Sequence, residues 1–143
     1  MKVVLDTNIL LDVLLNRAPL VATSESVIIR CEELGFEMLV AAHGLATAYY
    51  LLRRGRTETE ALLEVDKILA WARVAGTSDS AVRHVRNLGF TDFQDALQAA
   101  AAETCAADWI VTRNVRDFGR SRVSALSPED FLKRFPPPAL TPV

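Results

Sequence analysis

Four aspartates carry most of the chemistry available to this sequence. Asp6 closes the apolar run "KVVL"; Asp92 and Asp95 open the stretch "TDFQDALQAAAAE"; Asp117 follows "WIVT", with Asn114 between. Carboxylates brought within a few ångströms repel and raise one another's pKa. A divalent cation removes that conflict, and hard oxygen ligands suit Mg²⁺ or Mn²⁺. Such a cation can activate water and stabilise the leaving oxygen of a phosphodiester. With no histidine-ligand spacing and no glycine-rich phosphate loop, the acids point to metal-dependent phosphodiester hydrolysis, provided the fold gathers them.

Each residue also has a plainer reading. Asp6 or Asn8 can cap the helix that follows. Thr91 as N-cap with Gln94 at N3 makes a capping box, which puts Asp92 at N1, where a negative charge favours the helix dipole. Asp95, at N4 in that frame, is not explained by capping. Asp117 and Asn114 suit a loop turn. Arg113 and Arg116 flank the acids and could hold phosphates, or could simply be solvated. Asp12 is expected in solvent, His43 and His84 in structural or exposed places, and Tyr49 and Tyr50 in packing or dimer contacts rather than base stacking.

The elements that must position these residues alternate. Short apolar runs at 2–5, 36–42, 74–77 and 109–112 read as strands, with a weak last strand at 122–126. Helical periodicity covers 8–16, 21–34, 45–54, 57–73, 78–89, 92–106 and 127–135. Gly35 and Gly55 close two of these helices, Thr57 and Glu60 fit a capping box, and Ser127-Pro128 makes a strong start. Alternating strands and helices imply an α/β sandwich of three layers, a central parallel sheet of 4–5 strands with helices on both faces. Ligands of such sheets bind beyond the carboxyl ends of the strands. Asp6, Asn114 and Asp117 lie at those ends, as does the start of the helix bearing Asp92 and Asp95.

The bulk properties set the background. A chain of 143 residues, half of them apolar, suits one domain over 1–135, with 136–143 ("PPPALTPV") as an extended tail. A net charge of −2 argues for neither nucleic acid nor membrane. Cys31 and Cys105 lack metal-ligand spacing and are expected as free thiols. The N-terminus reads as a strand rather than a signal peptide, and no apolar run reaches membrane-spanning length. The protein is expected to be soluble and cytoplasmic.

The stretches "VVLDTNILLDVLL", "DFQDALQAAAAE", "DWIVTRNVRDF" and "VSALSPEDFL" occur in the order and at the spacing of one family. The chain resembles a PIN domain of the VapC-like type, over essentially its whole length. That resemblance implies a parallel α/β sandwich, a metal-dependent ribonuclease activity on RNA with Mg²⁺ or Mn²⁺, and, for many members, a toxin neutralised by a cognate antitoxin. A homodimer goes with it. It implies catalytic and metal-holding roles for Asp6, Asp95 and Asp117, with Asn114 and Asp92 assisting, and places Thr112, Arg113 and Arg116 toward the substrate.

One departure stands out. The family usually carries a glutamate in the middle helix; aligning on "AYYLL" puts Thr47 there, with His43 one turn earlier. An alternative reading is therefore a catalytically weak or inactive PIN-like RNA-binding or regulatory module. A receiver-like or phosphatase-like domain using Asp6 as nucleophile fits worse. No lysine is near a suitable strand end, and "DTN" lacks the second aspartate.

Overall fold

The computed structural model describes residues 1–140. Five strands form one parallel sheet in the order β3-β2-β1-β4-β5: β1 (Lys2–Leu5), β2 (Glu37–Ala41), β3 (Arg73–Ala75), β4 (Trp109–Val111) and β5 (Ala125–Leu126). Val3, Val4 and Leu5 of the central strand are fully buried, as a strand covered on both faces requires. Alternation assigns them to two cores. Val3 and Leu5 join Met38, Val40 and Val111 beneath one layer of helices. Val4 joins Leu39, Ala75 and Ile110 beneath the other.

The first layer holds α1 (Thr7–Leu14), α2 (Leu20–Leu34), α3 (Ala42–Leu52), α4 (Glu58–Leu69) and α7 (Pro128–Arg134). The second holds α5 (Asp79–Arg86) and α6 (Phe93–Thr104), with a short 3₁₀ turn at Val115–Phe118 against it. Ala96 and Ala99 to Ala102 of α6 are all buried. Their small side chains let this helix lie close on the sheet, which fixes where its first turn sits.

Several boundaries differ from the sequence reading. α3 begins at Ala42, directly after β2, with no side-chain cap to announce it. α4 ends at Leu69, not 73, because Arg73 is drawn into the sheet opposite Leu39. β5 is only two residues, paired with Ile110 and Val111. The α6 cap is Asp92 rather than Thr91: its carboxylate accepts from the Asp95 N–H, making Asp95 N3 and not N4. The capping box at Thr57 and Glu60 and the Ser127-Pro128 start are as expected.

Asp12 is the largest correction. It is completely buried, not solvated. Ser24 of α2 donates to it at 2.9 Å, and the Arg113 guanidinium lies 3.1 Å from its other oxygen. A charge this deep needs such partners. Cys31 and Cys105 are free, and burial pushes the Cys31 thiol up to about 12, so it is inert. Among the described residues no helix is long and apolar enough to cross a membrane. Residues 136–140 carry no helix or strand; 141–143 of the expected tail lie outside the described residues.

Candidate active site

The site is built where β1 and β4 end side by side. The register Leu5 to Val111 is continued by the Asp6 N–H, which donates to the Val111 carbonyl at 3.0 Å. The next residues on the two strands, Asp6 and Thr112, thus face each other. Thr112 donates its hydroxyl hydrogen to Asp6 Oδ2 at 2.7 Å, and the Asn114 N–H donates to the same hydroxyl oxygen at 3.0 Å. Asp6 Oδ1 accepts from the Thr7 N–H, so this carboxylate also caps α1. The plain capping reading and the functional reading of Asp6 are therefore compatible.

Burial raises the Asp6 carboxyl above its ordinary value; the Thr112 hydroxyl, the Thr7 N–H and His43 oppose that, and Asp92 adds to it. Asp95 is pushed up to about 6, first by burial and then by Asp6, Asp92 and Asp117 in turn. Every one of these influences raises it, and no hydrogen bond offsets them. Asp6, Asp92 and Asp117 are thus all near enough to act on the Asp95 carboxyl.

A cleft of about 180 Å³ opens here, lined among others by Asp6, Asn8, Thr47, Asp95, Gln98 and Asn114. Thr47 does occupy the place facing Asp6 and Asp95, but its hydroxyl is turned back onto the His43 carbonyl at 3.0 Å. His43 is half-buried; burial lowers its imidazole, against the opposing pulls of the Gln94 backbone and Asp6, and Nε2 has no partner. A larger hollow elsewhere is lined by Glu60, Glu64 and Asp66, but Arg56 and Lys67 line it with them, whereas the cleft at Asp6 and Asp95 has no basic residue in its lining.

Gln98 is the residue that the sequence reading missed. It is buried, and its amide donates to the Thr7 hydroxyl at 2.9 Å, tying α6 to the start of α1 across the cleft. Its other end is unmet, as is Asn8 Oδ1. Swapping the amide ends would leave the same deficit. A lone glutamine inside an alanine run was the available signal. Gly44 of α3 completes the corner: a Cβ there would stand 2.8 Å from Thr7 Oγ1.

The remaining expected residues are spread around this core. Thr112 is fully buried behind Asp6 rather than in the cleft. Arg113 is turned onto Asp12. Asp92, Asn114, Arg116 and Asp117 are exposed; Asn114 lines the cleft, and Arg116 and Asp117 lie on the 3₁₀ turn that follows it.

The family model of the PIN domain matches residues 2–116. The chain belongs to the PIN domain family. Solved PIN-fold relatives align along nearly their whole length. VapBC2 from Rickettsia felis bound to a DNA fragment from their promoter matches at 17% identity, covering 89% of this chain and 98% of that one, with TM-score 0.67. VapBC-1 from nontypeable Haemophilus influenzae matches at 16% identity, 90% and 99% coverage, and TM-score 0.69. FitAcB from Neisseria gonorrhoeae matches at 16%, 89% and 98%, with TM-score 0.61. At such identities the likeness is one of fold. A comparison with curated proteins finds no match.

Whether this PIN site suits a divalent cation can be tested on its donors. Among the described residues no group of three or more His, Cys, Asp or Glu is closed tightly enough to form a ready metal cage. Mg²⁺ does not need one, since it usually keeps several waters and takes one or two carboxylates. Asp6 and Asp95 supply two in one cleft, Asn114 adds an amide oxygen, and Asn8 and Gln98 leave unmet polar atoms beside them. The donor set is hard, oxygen-rich and short of positive charge, and it fits.

Proposed function

We propose that this protein is a metal-dependent endoribonuclease that hydrolyses RNA phosphodiester bonds, working as the toxin of a toxin–antitoxin pair. The observation that carries the reading is the cleft that Asp6 and Asp95 share at the carboxyl end of a parallel sheet, where the Asp95 carboxyl is pushed up to about 6, first by burial and then by Asp6, Asp92 and Asp117. Asp6, Asp95 and Asp117 would hold Mg²⁺ or Mn²⁺, with Asn114 and Asp92 assisting. The cation, when bound, supplies charge for the scissile phosphate and lowers the pKa of attacking water.

The chain's own residues do the rest. Thr112 and the Thr7 N–H fix the two Asp6 oxygens, which keeps that carboxylate aimed and opposes the upward push of burial. Asp95 lines the same cleft and offers a second carboxylate to the cation and its water. Asn8 and Gln98 offer polar partners for that water. Arg116 at the exposed rim can hold a flanking phosphate. The VapBC relatives support an antitoxin protein as partner. The exposed Tyr50 supports a homodimer, with residues 1–135 acting as one unit in the cytoplasm.

A second reading, an RNA-binding or regulatory module with little catalysis, is favoured by one observation. Thr47, not an acid, stands in the cleft beside Asp6 and Asp95, with its hydroxyl spent on the backbone. Incubating the protein with structured RNAs and Mn²⁺, beside an Asp6→Asn/Asp95→Asn variant, separates the two. Cleavage by wild type alone supports the nuclease. Binding without cleavage supports the module. Equal cleavage by both proteins sinks the nuclease reading.

A further inference from the structure

The first turn of α6 is a ridge between two hollows. Gln94, Asp95 and Gln98 line the acidic cleft on one side. Phe93 and Ala96 line a hollow of about 280 Å³ on the other, with Val85, Arg86, Phe90 and Thr91. Helix geometry requires this split, because residues 93 and 95 project in nearly opposite directions while their backbones are only about 5.4 Å apart.

Phe93 is 55% exposed, although it sits one residue from the acidic site and a phenyl ring in water is costly. Arg86, at the end of α5, borders the hollow on both of its flanks. Among the described residues it makes no ion pair, whereas its neighbour Arg83 is held by Asp79 at 3.0 Å. Asn87, with an amide able to meet a base edge, lines the same flank. An open aromatic face, an unpaired guanidinium and an amide are the components with which proteins hold unpaired nucleotides.

We propose that Phe93 and Arg86 form a nucleotide subsite on the far side of the α6 ridge: Phe93 stacks an unpaired base of single-stranded RNA, and Arg86 takes the adjoining phosphate. The proposal rests on the ribonuclease reading and adds to it the residues that hold the nucleotide flanking the acidic cleft. A strand crossing the ridge presents one phosphate to the acidic cleft and the neighbouring base to Phe93. The positive charge of Arg86 complements a backbone that the acids themselves repel, so the subsite supplies attraction where the cleft cannot.

The test measures binding and not turnover. In the Asp6→Asn/Asp95→Asn background, a fluorescein-labelled unstructured RNA decamer is titrated and followed by anisotropy. Phe93→Ala weakens binding roughly tenfold, as loss of one stacked base does. Phe93→Trp restores it and Phe93→Leu does not. Arg86→Ala flattens the salt dependence by about 0.7, the value for one single-strand phosphate. An abasic decamer is indifferent to Phe93→Ala. Unchanged binding in Phe93→Ala, rescue by Phe93→Leu, or no binding by the parent overturns the subsite. So does a fall in oligomeric mass in Phe93→Ala on sedimentation, which would make Phe93 a protein contact. None of these results bears on cleavage, which the Mn²⁺ assay decides separately.

Discussion

Arg113 follows Thr112 in the chain and reaches back 3.1 Å to Asp12, a carboxylate with no exposed surface on the underside of α1. The contact is a charge pair rather than an aligned hydrogen bond, since Asp12 Oδ1 gains no well-directed donor. It pins the segment whose preceding residue fixes Asp6. Arg113→Ala leaves Asp12 buried and uncompensated, and is expected to cost about 3 kcal/mol in urea unfolding. Asp12→Leu/Arg113→Met is expected to recover most of that loss. A double variant as unstable as Arg113→Ala would contradict this account.

The Asp95 shift makes a pH prediction. Its folded pKa, about 6, lies above the value of 3.8 it has as a free group. Folding therefore favours the protonated form. The fold is unpenalised below pH 4, and stability is lost as pH rises through 6, staying lower above it. Asp95→Asn should raise the melting temperature at pH 8 by a few degrees, on the order of 1 kcal/mol once solvent screening is discounted. The gain should vanish at pH 4. Thermal melts of both proteins at the two pH values check the sign. Millimolar Mn²⁺ should stabilise wild type at pH 8 more than it stabilises the variant.

Gly44 lies in the first turn of α3, where alanine is the better helix former by about 1 kcal/mol. Gly44→Ala is nonetheless expected to destabilise. The new methyl would meet Thr7 Oγ1 at 2.8 Å and Gln98 Nε2 at 3.4 Å, and the β-branched threonine has little room to turn. A net loss of about 1–2 kcal/mol, typical of overpacking, is expected in chemical denaturation. A stabilised Gly44→Ala protein would show that the corner is looser than described.

Thr47→Glu places a further acid in the cleft. Its carboxylate adds a fifth negative charge beside Asp6 and Asp95, so without cations the variant should melt below wild type. With Mn²⁺ present the order should narrow or reverse, and RNA cleavage should rise by an order of magnitude or more. Melting curves with and without Mn²⁺ read the first effect independently of activity.

The layered fold was legible because the strands are continuous apolar runs and the helices carry caps or terminal glycines. Asp6 and Asp95 were legible through topology, since a parallel sheet leaves little choice about where strand ends and helix starts meet. The missing details have local causes. Thr91 and Asp92 are both good caps, and sequence cannot rank neighbours of equal chemistry. The start of α3 has alanine on both sides of the boundary, so no polar residue marks it. Asp12 looks like any solvated helix charge until Ser24 and Arg113, distant in sequence, are seen to close over it. Phe93 declares itself only by an exposure that contradicts its type, and Gln98, marked in the sequence only as a lone glutamine among alanines, by its burial.

Because β1 pairs with β4 in parallel, the hydroxyl that fixes Asp6 comes from a residue 106 positions away. Contacts so distant form late in folding, and a chain made on a ribosome folds only what has already emerged. The first strand must wait for the fourth before both oxygens of its terminal aspartate are held. The cleft is therefore a late product of folding: a nascent chain that has not yet presented β4 has no partner for Asp6 Oδ2.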